Sequence, residues 1–233
     1  MSSQFQIIVA DPPWDFNDLL KMSDVARGSK SNYLTMSMSD IQHLPINKYA
    51  DPNGAILALW VPSSLLQEGL NVLSAWGFTH KQTYVWVKTK INPFVHITKE
   101  FFNNIKKILD KNSALSPRAI ICIKNALCKT YSLDNILSFG MGRLFRQTHE
   151  ICLIGVNNNK IYKKLNNRSQ RSVSFAENLK HSAKPECLQN SLELMFPDSN
   201  KLELFARRIK PNWVCLGNEV CNGEDITVSL AKL

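Results

Sequence analysis

The sequence has no apolar run approaching the ~18 residues that a membrane-crossing helix needs, so no membrane span and no membrane partner is expected. Its start, Met1-Ser2-Ser3-Gln4, lacks the basic and apolar regions of a secretory signal. The six cysteines, Cys122, Cys128, Cys152, Cys187, Cys215 and Cys221, form no Cys-x-x-Cys pair, and no histidine stands at zinc-ligand spacing from them. The expectation is therefore buried free thiols in a reducing compartment and no bound metal. Acidic residues are also scarce: 19 Asp and Glu face 28 Lys and Arg, a net charge of +9. Such an excess points to a polyanionic partner, most simply nucleic acid. The 233 residues allow one large domain, or one domain with an insertion.

What is present is organised around Asp11-Pro12-Pro13-Trp14. The preceding run Phe5-Gln6-Ile7-Ile8-Val9-Ala10 is short, apolar and β-branched, so it predicts a buried strand. The two prolines end it, because neither donates to a sheet ladder and each fixes φ. A carboxylate, two free carbonyls and an indole then stand at the carboxyl end of a strand, where open α/β sheets bind ligands. That set suits methyl transfer to an exocyclic amine. The lone pair of such an amine is delocalised into its base ring, so the nitrogen is a poor nucleophile. Asp11 and the Pro12 carbonyl can each accept one amine N–H, which favours a pyramidal nitrogen and stabilises the charge that develops on it. Pro12 and Pro13 hold these acceptors rigid, and Trp14 offers a face on which a flipped base can stack.

Along the chain, a polar loop is expected from Asp15 to Asn32, leading to Tyr33. Gly54 to Val61 predicts a second buried strand. Pro62-Ser63-Ser64 predicts a capped helix start, with Leu65, Leu66, Gly69, Leu70, Leu73 and Trp76 at helical spacing and Gly77 as the stop. Thr83 to Lys88 alternates and predicts a third strand. Strand, helix and strand within about forty residues are the signature of a mostly parallel sheet. Residues 91–138 break this rhythm. Phe101, Phe102, Ile105, Ile108 and Leu109 form one apolar stripe, with Asn103, Asn104, Lys106, Lys107 and Lys111 opposite, which predicts an amphipathic helix. A second apolar piece runs from Ala119 to Leu127.

The strand Ile151–Val156 comes next. Asn157 to Lys180 carries six Lys and Arg and few apolar residues. A phosphate-gripping loop is expected there, with Lys163, Lys164 and Arg168 as contacts; the plainer reading is a solvated loop. Pro185 suits the first turn of a helix that carries Leu188, Leu192 and Met195 inward. Two further strands are expected, over 201–207 and from Trp213 onward.

Asp11-Pro12-Pro13-Trp14 after an apolar strand resembles the amino-methyltransferases that use S-adenosylmethionine. It is most similar to the Asp-Pro-Pro-Trp adenine-N6 branch. That branch includes the catalytic subunit of the eukaryotic messenger-RNA adenosine methyltransferase and bacterial and phage DNA adenine methyltransferases. Further motifs follow in the family's order: Tyr33 with Thr35-Met36-Ser37 and Leu44-Pro45-Ile46; Trp86-Val87-Lys88-Thr89; His149-Glu150; His181-Ser182-Ala183-Lys184-Pro185; Glu203-Leu204-Phe205-Ala206-Arg207; and Gly217-Asn218-Glu219. The resemblance implies that Tyr33 and Lys88 lie near the target base. It implies that Lys184 lies between substrate and cofactor, and that Glu203, Leu204, Phe205, Arg207, Asn218 and Glu219, with Asp11, line the S-adenosylmethionine pocket. The catalytic motif comes first and the cofactor motif last, the circularly permuted order of this superfamily. Two departures stand out. Arg208-Ile209-Lys210 occupies a place where relatives often carry asparagine, and only ten residues precede Asp11.

The expectation is a Rossmann-like class I methyltransferase fold: one α/β domain over 1–233, with a mostly parallel sheet and a helical insertion at 91–138 that serves as a candidate recognition element. The expected reaction is methylation of the 6-amino group of adenine in DNA. The resemblance implies DNA over RNA because no appended zinc finger or second methyltransferase-like domain is seen, and the richness in Asn, Lys and Ile fits an AT-rich bacterial or phage genome. An RNA adenine-N6 enzyme, a cytosine-N4 enzyme and a catalytically silent nucleic-acid-binding subunit stay open. A second copy of the chain or a methyltransferase-like subunit is the expected protein partner. The expected compartment is the cytoplasm for a bacterial or phage-encoded protein, and the nucleus for a eukaryotic one.

Overall fold

The structure is a computed structural model that describes residues 4–15, 35–111, 116–130, 136–140, 144–178, 183–220 and 223–233. In chain order the elements are β1 (Ile7–Ala10), α1 (Met38–His43), β2 (Ile56–Val61), α2 (Leu66–Ala75), β3 (Thr79–Thr89), α3 (Pro93–Leu109), α4 (Pro117–Thr130), β4 (His149–Val156), β5 (Val173–Glu177), α5 (Cys187–Met195), β6 (Lys201–Leu204), β7 (Val214–Leu216) and α6 (Ile226–Ala231). The strands form a seven-stranded sheet in the order β5-β3-β4-β2-β1-β6-β7. β1 pairs parallel with both β2 and β6, β6 pairs parallel with β7, and β2 pairs antiparallel with β4. This is the expected Rossmann-like α/β arrangement.

Two compact units make up the chain. The first is Met1–Val85, Glu150–Ser174 and Glu186–Leu233; the second is Trp86–His149 and Phe175–Pro185. The core of the first unit follows from the apolar runs. All four residues of β1 and all six of β2 are buried, the pattern of strands covered on both faces. Ile8, Leu57, Leu59, Leu73, Leu153 and Leu204 belong to one cluster with the indole of Trp76. That indole donates to the Ile41 carbonyl at 2.9 Å, so α2 and α1 share a satisfied buried donor. The chain leaves β1 toward β2 on one side, while β6 lies on the other. That makes the carboxyl ends of β1 and β6 the topological switch point, where such sheets open a ligand crevice.

Several expected boundaries move. Ser63–Leu65 is a 3-10 turn and neither serine caps the helix, because Pro62 is extended at ψ 135°; α2 starts at Leu66. Pro185 precedes the N-cap Glu186, so it stands two residues before the first helical residue, Cys187, and not in the first turn. β3 starts at Thr79, ahead of the predicted Thr83. In the second unit α3 starts at Pro93, after Asn92 in the left-handed region at φ 45°, and α3 and α4 pack on each other. Cys152 and Cys215 are buried free thiols as expected, but Cys122 on α4 is exposed.

The segment after β4 is not the loose loop its composition suggests. Asn158 caps a 3-10 helix over Asn159–Lys164, and Ile161 in it is fully buried. The inward isoleucine docks the segment together with Asn157 and Asn158, whose side chains donate to the Asp51 and Pro52 carbonyls, and the count of polar residues hides it. Gly54 forms the seat. Its φ is 139°, and a Cβ there would lie 2.6 Å from the Ile161 backbone nitrogen. Gly54→Ala combines a disfavoured φ with a clash against main chain, so it should cost about 1–3 kcal/mol. Urea unfolding of the full chain measures this, and a variant within error of wild type would mean that the 159–164 turn is not held there.

Candidate active site

Asp11 follows directly on β1. The register pairs Val9 with Glu203 and Ala10 with Leu204, so Asp11 and Phe205 emerge at the same end of neighbouring parallel strands. Asp11 and Glu203 are both half-buried there. The prolines do not leave two free carbonyls. The Pro12 carbonyl accepts the Trp14 N–H at 2.8 Å, and the Pro13 carbonyl accepts the Met36 N–H at 2.9 Å. Each carbonyl oxygen keeps a second lone pair, and the first bond fixes its direction. Pro12 is buried and Pro13 half-buried.

Trp14 departs from the expected open stacking face. It is 3% exposed and packs in the core cluster. Its indole N–H donates to the Trp60 carbonyl at 2.9 Å, which ties the turn after β1 to β2. An indole buries a large apolar area once its single donor is satisfied, and here the fold uses both properties.

Glu203 at the end of β6 accepts a hydrogen bond from Gln189 Nε2 at 3.2 Å. Burial pushes its carboxyl above the ordinary value. The Gln189 bond and Arg208 pull it down, while Asp11 and Glu186 push it further up. Gln189 is itself buried on α5, and its Oε1 has no hydrogen-bond partner. The next residues are Leu204, fully buried, and Phe205, at a φ of 59°. A bulky non-glycine residue in that region is strained by roughly 1–3 kcal/mol. Ala206 N–H donates to the Leu216 carbonyl at 2.9 Å. Gly217 lets the β7 end approach this closely, since a Cβ there would stand 2.4 Å from the Ala206 carbonyl oxygen. Arg207 Nη1 lies 3.5 Å from Glu219 Oε1, so two residues implicated by resemblance pair with each other. Asn218 between the two motif ends is exposed.

Reading the sequence missed the cluster beside these residues. Lys210, 9% exposed, donates to Asn190 Oδ1 at 2.8 Å and to Glu186 Oε2 at 3.2 Å, and lies 3.6 Å from Glu193 Oε1. Arg208 Nε is 3.0 Å from Glu186 Oε1, and Trp213 Nε1 donates to Glu193 at 2.6 Å. The departure Arg208-Ile209-Lys210 is therefore a tie between α5 and the β6–β7 connection. The signal was the spacing Glu186, Asn190, Glu193, which puts three acceptors on one helical face.

The remaining candidates fall elsewhere. Tyr33, like His181 and Ser182, lies outside the described residues. Lys88 belongs to the second unit, its Nζ 5.3 Å from the Trp86 ring centroid. Lys184, half-buried, also belongs to that unit. Lys163 and Arg168 are exposed. Lys164 lies 3.5 Å from Asp51. Burial raises the Asp51 carboxyl, but the Gln6 amide, the Asn53 N–H and Lys164 outweigh it and hold the group below its ordinary value. Among the described residues no three His, Cys, Asp or Glu gather as a metal cluster, and no helix is long and apolar enough to cross a membrane.

The MT-A70 family model matches residues 5–109 and 120–219. The chain is 26% identical, over 93% of its length, to the N(6)-adenosine-methyltransferase MT-A70-like protein of Drosophila melanogaster, of which the match covers 27%. It is likewise 26% identical to the N(6)-adenosine-methyltransferase catalytic subunit METTL3 of Homo sapiens, covering 93% of this chain and 28% of that protein. To the Type II methyltransferase M.MunI of Mycoplasma sp. it is 22% identical, covering 93% of this chain and 78% of the other. The chain thus spans little more than a quarter of the length of the two animal proteins.

The raised carboxyl of Glu203 makes stability depend on pH. The folded chain binds this proton more tightly than the unfolded chain does. The resulting stabilisation is complete below the unfolded pKa and is lost as pH rises through the folded pKa. Glu203→Gln removes the buried charge and keeps a polar partner for Gln189. Without cofactor, its melting temperature should exceed that of wild type at about pH 8, and the gap should close by about pH 4. Differential scanning calorimetry at both pH values decides; a gap independent of pH would exclude a buried ionised carboxylate.

Proposed function

Because the chain belongs to the MT-A70 family, we propose that it transfers a methyl group from S-adenosylmethionine to the 6-amino group of adenine in DNA. The observation that carries this is that Asp11 and Pro12, its carbonyl fixed by the Trp14 N–H, follow directly on β1 at the switch point of the sheet. The amine offers two N–H donors, and those are the two acceptors such a donor pair needs. Asp11 also counters the positive charge that develops on nitrogen, which is where a preorganised acceptor contributes most. Similarity to a Type II methyltransferase across most of that protein's length supports DNA. Similarity to the animal N(6)-adenosine-methyltransferases supports RNA as the second reading.

The residues at the end of β6 fit the cofactor. Its ribose brings hydroxyl donors; the orphaned Gln189 Oε1 is an acceptor in want of one, and the half-buried Glu203 carboxylate, already bonded to Gln189, is an acceptor beside it. Phe205 and the close approach at Gly217 give a shaped backbone wall. Glu203, Leu204, Phe205, Arg207, Asn218, Glu219 and Asp11 would hold the group; Lys184, Lys88 and Tyr33 keep the roles that the family resemblance implies. S-adenosylmethionine, when bound, supplies an electrophilic methyl. This chain's part is to hold the amine, direct its lone pair and balance its charge.

Asp11→Ala should lower the methylation rate about a hundredfold or more, as loss of one preorganised partner does, with the fold kept intact, as circular dichroism would show. Glu203→Ala or Asn218→Ala should weaken S-adenosylmethionine binding in calorimetry more than nucleic-acid binding. The decisive assay gives purified protein and labelled cofactor DNA and RNA side by side, with the methylated base identified by mass spectrometry. N6-methyladenine in RNA alone would replace the DNA reading, and no product on either would remove the enzymatic one.

A further inference from the structure

The excess positive charge of this chain is confined to one unit. Thirteen Lys and Arg fall within the second unit against four Asp and Glu, while the first unit holds fifteen of each. The whole net charge of +9 is therefore the charge of the second unit. On α3, Lys99, Asn103, Lys106 and Lys107 are exposed and lie on one helical face at spacings of four, three and one. Phe102, expected on the apolar stripe, instead borders that face and is 64% exposed. In the same unit Gly140 and Gln147 form an antiparallel bridge, with hydrogen bonds of 2.8 and 3.1 Å. Leu144 and Phe145 are 91% and 86% exposed, the highest values for large apolar side chains among the described residues. Arg146 lies beside them, its guanidinium 5.9 Å from the Phe139 ring.

Two apolar side chains held in water, on a unit that carries the whole +9 charge, call for a partner that is anionic outside and apolar inside. A second copy does not meet that description, because each copy would bring the same positive charge to the contact. A nucleic acid does: phosphates neutralise the lysines, and base faces receive the apolar pair. We propose that the second unit is the nucleic-acid grip of this protein, with Lys99, Lys106 and Lys107 taking phosphates and Leu144 and Phe145 entering the base stack. This rests on the reading above that the substrate is nucleic acid. It moves the main phosphate contact away from Lys163, Lys164 and Arg168, which belong to the neutral unit. An apolar pair that fills the stack is also what an enzyme needs if it draws a base out of a duplex, because the wedge replaces the lost stacking.

Two full-length variants test this. K99Q/K106Q/K107Q should bind native genomic DNA with a flatter dependence of log K on log salt, by up to about 2.7 in slope at roughly 0.9 per lost contact. Its S-adenosylmethionine affinity should stay that of wild type, which shows that the fold is intact. L144S/F145S should keep the wild-type salt slope. Its ratio of methylation on native to heat-denatured DNA should fall about tenfold, since single strands need no wedge. A wild-type slope in the lysine variant while wild type itself binds DNA overturns the grip and leaves the methyltransferase reading standing. So does a slope that falls only in K163Q/K164Q/R168Q. Equal loss of L144S/F145S activity on both DNA forms, or a smaller sedimentation coefficient than wild type, overturns the wedge in favour of a general defect or a protein interface. Failure of wild type to bind or methylate any nucleic acid removes the reading on which the proposal stands.

Discussion

The site depends on the parallel pairing of β1 with β6. β1 is four residues long and wholly buried, so its register cannot slip without moving every side chain to the opposite face. Val9 opposite Glu203 and Ala10 opposite Leu204 then bring together two segments almost two hundred residues apart in sequence. Asp11 has its place because the prolines stop the strand one residue beyond this pairing. Phe205 is forced into the left-handed region because β6 must stop at the same level while Ala206 still reaches the Leu216 carbonyl. The meeting of Asp11 with the end of β6 is a consequence of strand order, and its polar character follows from where two short strands end.

The second feature of the site is that its polar groups are held at a cost. Glu203 carries a carboxyl that burial disfavours as a charge, next to Asp11, which disfavours it further. Gln189 satisfies one of its oxygens and leaves its own Oε1 without a partner. Phe205 adds backbone strain. What offsets these terms is the neighbouring tie of Lys210 to Glu186, Asn190 and Glu193, with Trp213 on Glu193. A charged donor with three acceptors at a nearly buried position is well satisfied, and it holds the β6–β7 connection to α5. Removing one acceptor would leave the others to carry a buried cation, so the cluster acts as a unit.

The sheet centre was legible because Ile7–Ala10 and Ile56–Val61 are short apolar runs ended by prolines, a local signal. The end of β6 was reached only through a resemblance, since nothing local says that Glu203 will stand beside Val9. Trp14 was misread because an indole at a strand end is equally suited to stacking on a ligand or packing inward. The choice was made by the Trp60 carbonyl, 46 residues away, which accepts its N–H. The 159–164 turn was misread because composition averages over residues and hides the buried Ile161, and because Asn157, Asn158 and Lys164 bond to a segment a hundred residues earlier. Lys210 looked like a lost family residue, yet its partners on α5 were in plain view at helical spacing. Leu144 and Phe145 drew no attention, because exposure is not a property of sequence.

The division of charge between a neutral unit and one of +9 also bears on kinetics. A field that acts on only part of a molecule exerts a torque as well as a pull. Near a polyanion, within a Debye length of about 8 Å at physiological salt, the protein is turned before it touches. Encounters then begin with the same side inward, and fewer collisions are wasted on the wrong orientation. Salt should therefore slow capture itself, apart from any effect on how long the complex lasts.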